Sequence, residues 1–160
     1  MKKILMSIAM LVLITNQIGF AMTEYTLVCT KEGQKAIKDI KVGDEVFSEN
    51  PETGEKGLKK VLNTYINQTD ILVHVFVGDI EIKTAPTQLI WVIGKGWVNS
   101  VELKPGDKLL LYSGATVEVT AVMEERLGNP IKVYDFEVAD WQTYFISNKT
   151  ILVHNMVATQ

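Results

Sequence analysis

Three residues near the two ends of this 160-residue chain could do covalent chemistry on a peptide bond. Cys29 stands in Tyr-Thr-Leu-Val-Cys-Thr, and His154-Asn155 follows the strand-like Ile151-Leu152-Val153. A thiol is a strong nucleophile at neutral pH and forms a thioester on attacking a carbonyl. If the attacked carbonyl is that of Val28, a peptide link is exchanged for a thioester with no outside substrate. The side-chain nitrogen of an asparagine can attack its own main-chain carbonyl, close a five-membered succinimide and cut the chain behind it. An adjacent imidazole can polarise that carbonyl or protonate the departing amine.

Each residue also has an ordinary reading. A cysteine in a β-domain is usually a small buried packing residue, and a His-Asn pair after a strand is usually a turn. Their placement at the two boundaries of one domain is what singles them out. Composition narrows the rest. The net charge of −3 supplies no basic excess to neutralise a phosphate backbone, so no nucleic-acid partner is expected. A single cysteine excludes an intramolecular disulfide and a multi-cysteine zinc site, and no metal or organic cofactor is implied. Trp91, Trp97 and Trp141 read as core or rim packing, the first two across a hairpin. The acidic pairs Asp39/Asp44, Glu52/Glu55 and Glu124/Glu125 read as solvated surface. His74 reads as a structural or exposed strand residue.

The elements that must position these groups are short strands. Lys2-Lys3, the apolar run Ile4–Ile14 and Gly19-Phe20-Ala21 have the form of a signal peptide over 1–21. Export to a secreted or periplasmic location follows, or anchoring in the membrane if the signal is kept. The domain itself is expected over 22–160. Its β-rich runs are Tyr25–Thr30, Glu45–Ser48, Val61–Ile66, Ile71–Val77, Ile80–Thr84, Leu89–Ile93, Lys108–Leu111, Thr116–Glu124, Ile131–Val138, Thr143–Ile146 and Ile151–Val153. Turn residues separate them, Gly128-Asn129-Pro130 among them. Val117, Val119, Ala121 and Met123 alternate with polar neighbours, as on a half-buried strand. The pattern predicts an all-β domain. Asp39-Ile40-Lys41-Val42-Gly43-Asp44 is echoed 63 residues later by Glu102-Leu103-Lys104-Pro105-Gly106-Asp107, which suggests two related halves.

The chain resembles the Hint superfamily of inteins and hedgehog autoprocessing domains, in particular the bacterial branch found in polymorphic toxins. The matching residues are Cys29; Gly33 and Ile37 leading to Ile40-Lys41-Val42-Gly43-Asp44-Glu45-Val46; Gly94-Lys95-Gly96-Trp97-Val98; and Leu103-Lys104-Pro105-Gly106-Asp107. They continue through Val133-Tyr134-Asp135-Phe136-Glu137-Val138 and Thr143-Tyr144-Phe145 to Val153-His154-Asn155. The resemblance implies a pseudo-twofold β horseshoe that cleaves its own chain at one or both boundaries.

Departures from the family pattern limit what remains. Family members place a histidine in a Thr-x-x-His block, where it activates the first peptide bond for attack by the cysteine. Here that block is Lys83–Val92, and the histidine has become Gln88, or Thr87 in the other alignment. A second family histidine, before Thr-Tyr-Phe, is Gln142. Glutamine donates a hydrogen bond but cannot relay a proton, and general acid–base catalysis contributes about 10²–10⁴-fold. Met156 offers no nucleophile to capture a thioester, so full splicing is excluded. The expectation is cleavage after Asn155, assisted by His154, with Cys29 a residual thioester former and the chain its own substrate. The competing expectation is a secreted β-domain that keeps the fold without the chemistry, serving as a binding or structural module or left as an orphan fragment of a toxin cassette. A hedgehog-like transfer of a Cys29 thioester to an outside nucleophile is weaker, because only the few residues between the signal and Cys29 would be transferred.

Overall fold

β-branched and aromatic residues interrupted at short intervals by Gly, Asn and Asp leave little room for helical periodicity. The computed structural model describes residues 21–155. Its eleven strands are β1 (Leu27–Thr30), β2 (Gly33–Ala36), β3 (Glu45–Glu49), β4 (Lys56–Val77), β5 (Ile80–Thr84), β6 (Leu89–Val92), β7 (Gly96–Asn99), β8 (Lys108–Leu110), β9 (Thr116–Val138), β10 (Thr143–Ile146) and β11 (Ile151–His154). The only helical pieces among the described residues are two single 3₁₀ turns, Ile37–Asp39 and Ser100–Glu102. No helix among them is long and apolar enough to cross a membrane. The expected signal segment lies outside the described residues except for Ala21. That residue is fully buried.

The strands pair antiparallel in the order β10-β11-β6-β8-β9-β4-β3-β1-β2, with β5 added to β4 and β7 to β6. A further β1–β10 pairing closes this path on itself. The two halves repeat each other. β1 pairs with β2 as β6 pairs with β7, and β3 pairs with β4 as β8 pairs with β9.

The echoed motif recurs bond for bond. Asp44 accepts from the Lys41 amide at 2.9 Å and from Lys35 Nζ at 2.8 Å. Asp107 accepts from the Lys104 amide at 2.9 Å and from Lys95 Nζ at 2.7 Å. Gly43 and Gly106, both at positive φ, donate to the carbonyls of Val61 and Val119. Both aspartates are therefore turn caps, and for Asp44 this replaces the reading as solvated surface. Burial opposes their charge, but the lysine and the turn amide outweigh it and hold both carboxyls below the ordinary range. Both ties stand above about pH 4 and weaken as pH falls through the depressed values.

Two expectations about strands are corrected. The runs Val61–Ile66 and Ile71–Val77 are one strand, and Thr116–Glu124 and Ile131–Val138 are another. Together they form a long β4–β9 ribbon. Gly128-Asn129-Pro130 is not a turn between strands. Thr69 faces Ile131 and Ile71 faces Arg126, so Leu127–Pro130 bulge out opposite Asp70 alone. Proline brings no amide to a ladder and is tolerated there. The second correction is one of face. Phe76 pairs with Ala121 but Val77 with Val119, so Thr120 is an extra residue. One extra residue reverses the alternation. Val119 is buried, whereas Met123 turns outward and is 55% exposed.

On the same ribbon His74 lies between two carboxylates. Its Nδ1 meets Glu81 of β5, and its Nε2 meets Glu125 of β9 at 3.1 Å. The bond to Glu81 raises the imidazole above its ordinary value; burial opposes this and Glu125 adds to it. This cross-strand tie is fully present below about pH 6.5 and fades as pH rises through the raised value.

The core is built from Val28, Val46, Val61, Val73, Val75, Ile90, Leu109, Phe136, Tyr144, Ile146, Ile151 and Val153. Within it Tyr144 stacks on Phe136 at 4.1 Å and donates its hydroxyl to the buried Asp135 at 2.9 Å. Burial, with Asp135 beside it, keeps the phenol protonated far into alkaline pH. Tyr144→Phe should therefore destabilise the fold by about 1–3 kcal/mol, because a buried carboxylate loses a donor. A thermal melt checks this, with a drop in Tm of roughly 3–10 °C expected.

Candidate active site

β11 carries three apolar residues into the core, Ile151, Leu152 and Val153, all fully buried. It is gripped on both sides, with His154 opposite Thr143 of β10 and Val153 opposite Ile90 of β6. The residue that ends the strand is thereby held by its neighbours. Asn155 is fully buried, and its amide donates to the Gln142 carbonyl at 2.8 Å. Its Oδ1 accepts from the Val138 amide at 2.9 Å. That bond draws electron density toward Oδ1 and favours loss of a proton from Nδ2.

His154 Nδ1 lies 2.5 Å from the main-chain oxygen of Asn155. A carbonyl only accepts, so Nδ1 carries the proton in this tautomer. It points at the oxygen on which charge develops if the Asn155 carbonyl is attacked. Burial holds the His154 imidazole below its ordinary value, and the bond to Asn155 only partly offsets this. Trp97 lies edge-to-face against the same ring at 5.0 Å. A cavity of about 230 Å³ opens beside it, lined by Asn50, Glu52, Trp97, Asp140, Trp141 and Thr143.

Gln88 is fully buried, and its Nε2 donates to the carbonyls of His154 at 2.9 Å and Leu89 at 3.0 Å. Two acceptors on one side fix the orientation of the amide. Its Oε1 is left buried without a partner among the described residues. Gln88 thus fastens β11 to β6. Gln142 contributes differently, since the bond to Asn155 comes from its main-chain carbonyl. Its backbone is in the left-handed region at φ 56°, and its Oε1 is also buried and unpartnered.

Cys29 is not part of this group. Val28 pairs with Ile146 while His154 pairs with Thr143, three residues further along β10. That separation corresponds to about 10 Å along a strand. The thiol instead lies 3.9 Å from the Ser147 carbonyl, and burial pushes it up, with Gln34 pulling weakly the other way. It is a protonated, half-buried strand residue.

The peptide that does meet the Thr84–Gln88 block is that of Ala21-Met22. Ala85 donates to the Ala21 carbonyl at 2.9 Å, Thr23 donates to Lys83 at 3.4 Å, and Met22 bridges Thr84 and Tyr134. Ala21 packs on Ala85 and Val133 with no exposed surface. The N-terminal position of the site is therefore occupied by a methyl group. Alanine has no reactive group, so nothing in its residue type pointed to this position. Val138 escaped notice for a similar reason, since it acts through its amide. A cavity of about 870 Å³ between Thr23–Leu27 and β5 is not lined by Cys29, Gln88, Gln142, His154 or Asn155.

A model of the pretoxin Hint domain matches residues 27–156. The chain belongs to the pretoxin Hint family. This Hint domain is 39% identical to a bacterial intein-like domain from Clostridium thermocellum, with a TM-score of 0.81 over 84% of this chain and 98% of that one. It is 26% identical to the gp41-1 intein, with a TM-score of 0.68 over 84% and 98%. Its fold is also that of a DnaB intein from Synechocystis sp. PCC 6803, at 18% identity, with a TM-score of 0.73 over 86% and 99%. The search of curated proteins returned no match.

Proposed function

We propose that this Hint domain is exported and cuts its own chain after Asn155 by asparagine cyclisation, without splicing. Nδ2 of Asn155 gives up one proton and bonds to its own carbonyl carbon, the bond to the Met156 nitrogen breaks, and the departing amine takes up one proton, so that the step is balanced. The observation that carries the reading is the His154 Nδ1 contact at 2.5 Å to the oxygen of that carbonyl. Polarisation there, together with Val138 at Oδ1, addresses both partners of the ring closure. Any thioester step at the other boundary is absent from the proposal, because Ala21 has no nucleophile and Cys29 stands apart. Those same two facts favour the second reading, a Hint fold kept as a binding or structural module.

One experiment separates them. With a reporter domain fused after Gln160, intact mass should show loss of everything beyond Asn155 in the parent and not in Asn155→Ala. A parent that stays whole over days leaves only the second reading.

A further inference from the structure

We propose that Trp97 is a positioning residue for the cleavage: it holds the His154 imidazole in the orientation that presents Nδ1 to the Asn155 carbonyl. This rests on the self-cleavage reading above.

The β6–β7 hairpin supplies the geometry. Its turn, Gly94-Lys95-Gly96, has both glycines at positive φ, and it sets Trp91 directly opposite Trp97. The two indoles meet edge-to-face at 5.1 Å and 73°. Trp97 in turn meets His154 at 5.0 Å and 81°. A ring backed by a second ring has little freedom to tilt, so the imidazole is held by a rigid wall on that side. The opposite pull comes from the cavity beside it. Glu52 and Asp140 line that space, Asp140 paired with Lys59 at 2.9 Å. Lys59 itself lies over Trp141, 4.4 Å from the ring. Without the indole, the imidazole can rotate toward water and these carboxylates and leave the Asn155 oxygen. Removing the indole also admits water to a ring whose burial now keeps it uncharged.

The test uses the full chain with the reporter after Gln160, in the parent, Trp97→Leu and Trp97→Phe. In parallel, ¹⁵N NMR of the non-cleaving Asn155→Ala chain reads the tautomer and titration of His154 with each residue at 97. Trp97→Leu should slow release about 10–100-fold, the usual effect of misplacing a catalytic group by about 1 Å. It should also move the proton from Nδ1 toward Nε2 and bring the titration back toward the ordinary imidazole value. Trp97→Phe, which keeps an aromatic face, should stay near the parent in all three readouts. A leucine variant equal to the parent in rate, tautomer and titration overturns the proposal. Should that variant lose the fold, Trp91→Leu removes only the ring behind Trp97, and parental behaviour there overturns it equally. If the parent releases nothing, the self-cleavage reading fails by itself, and the tautomer comparison still decides the role of Trp97.

Discussion

Replacing His154 with alanine is expected to slow release of the segment after Asn155 by about 10²-fold or more, with the fold intact. Removing a donor aimed at a developing oxyanion costs about 10²–10³ in rate, and losing a general acid has a similar effect. Here one imidazole serves both tasks, because its Nδ1 lies 2.5 Å from the Asn155 oxygen and the leaving amine departs from the same carbonyl. The pH dependence follows from the direction of its titration. Burial lowers the His154 value below 6.5, so the ring is neutral at neutral pH. The imidazolium is the stronger donor and the only form able to hand a proton to the amine. Release should therefore accelerate as pH falls from about 7.5 to about 5.5, and the His154→Ala chain should lose that acceleration. Initial rates of reporter release across this range check both points. A rate that is flat with pH in the parent contradicts the assignment.

The second large effect is a gain. Placing a thiol at position 21 and a histidine at 88 should create a thioester step at that boundary. In Ala21→Cys/Gln88→His the thiol can attack the carbonyl of residue 20. The C–S bond forms, the C–N bond breaks, and the thiol proton ends on the freed amine. Hydroxylamine or an added thiol should then release the segment before residue 21, read as a mass loss. Ala21→Cys alone should react about 10²-fold more slowly or worse, since Gln88 cannot shuttle a proton. Cys29→Ala should leave every rate unchanged. The basis is positional: Ala85 holds the Ala21 carbonyl at 2.9 Å, while Cys29 has its contacts at Ser147 and Gln34. Hydroxylamine-sensitive cleavage that requires Cys29 would sink this account of the N-terminal half.

Much of the architecture was legible because it rests on local chemistry. Glycine and aspartate at 43–44 and 106–107 specify the same turn wherever they occur, and the structure builds that turn twice with matching bonds. Strand content followed from β-branched and aromatic runs. The ribbon did not, because the sequence around Gln68–Asp70 and Gly128–Pro130 resembles turn chemistry. Cross-strand pairing carries the chain straight through on one side and bulges it on the other. The outward turn of Met123 was equally invisible, since one unpaired residue, Thr120, reverses the faces that follow it as far as the bulge at Leu127–Pro130.

The site divides along the same line. The sequence by itself determined which atoms could react at the C-terminal boundary: the Asn155 amide, the His154 imidazole and, at Met156, the lack of a nucleophile to follow. Those are properties of side chains and neighbours in the chain, and they need no fold to be read. Only the tertiary structure decided that Cys29 stands apart from that boundary, on β1 with its thiol at the Ser147 carbonyl, while His154 pairs with Thr143 at the other end of β10. It alone placed Ala21 against the Thr84–Gln88 block, and it brought Trp97 to His154. The reason is physical. Pairing register and hairpin orientation are set by contacts between residues far apart in sequence, and a reactive side chain carries no mark of which partner its strand will choose.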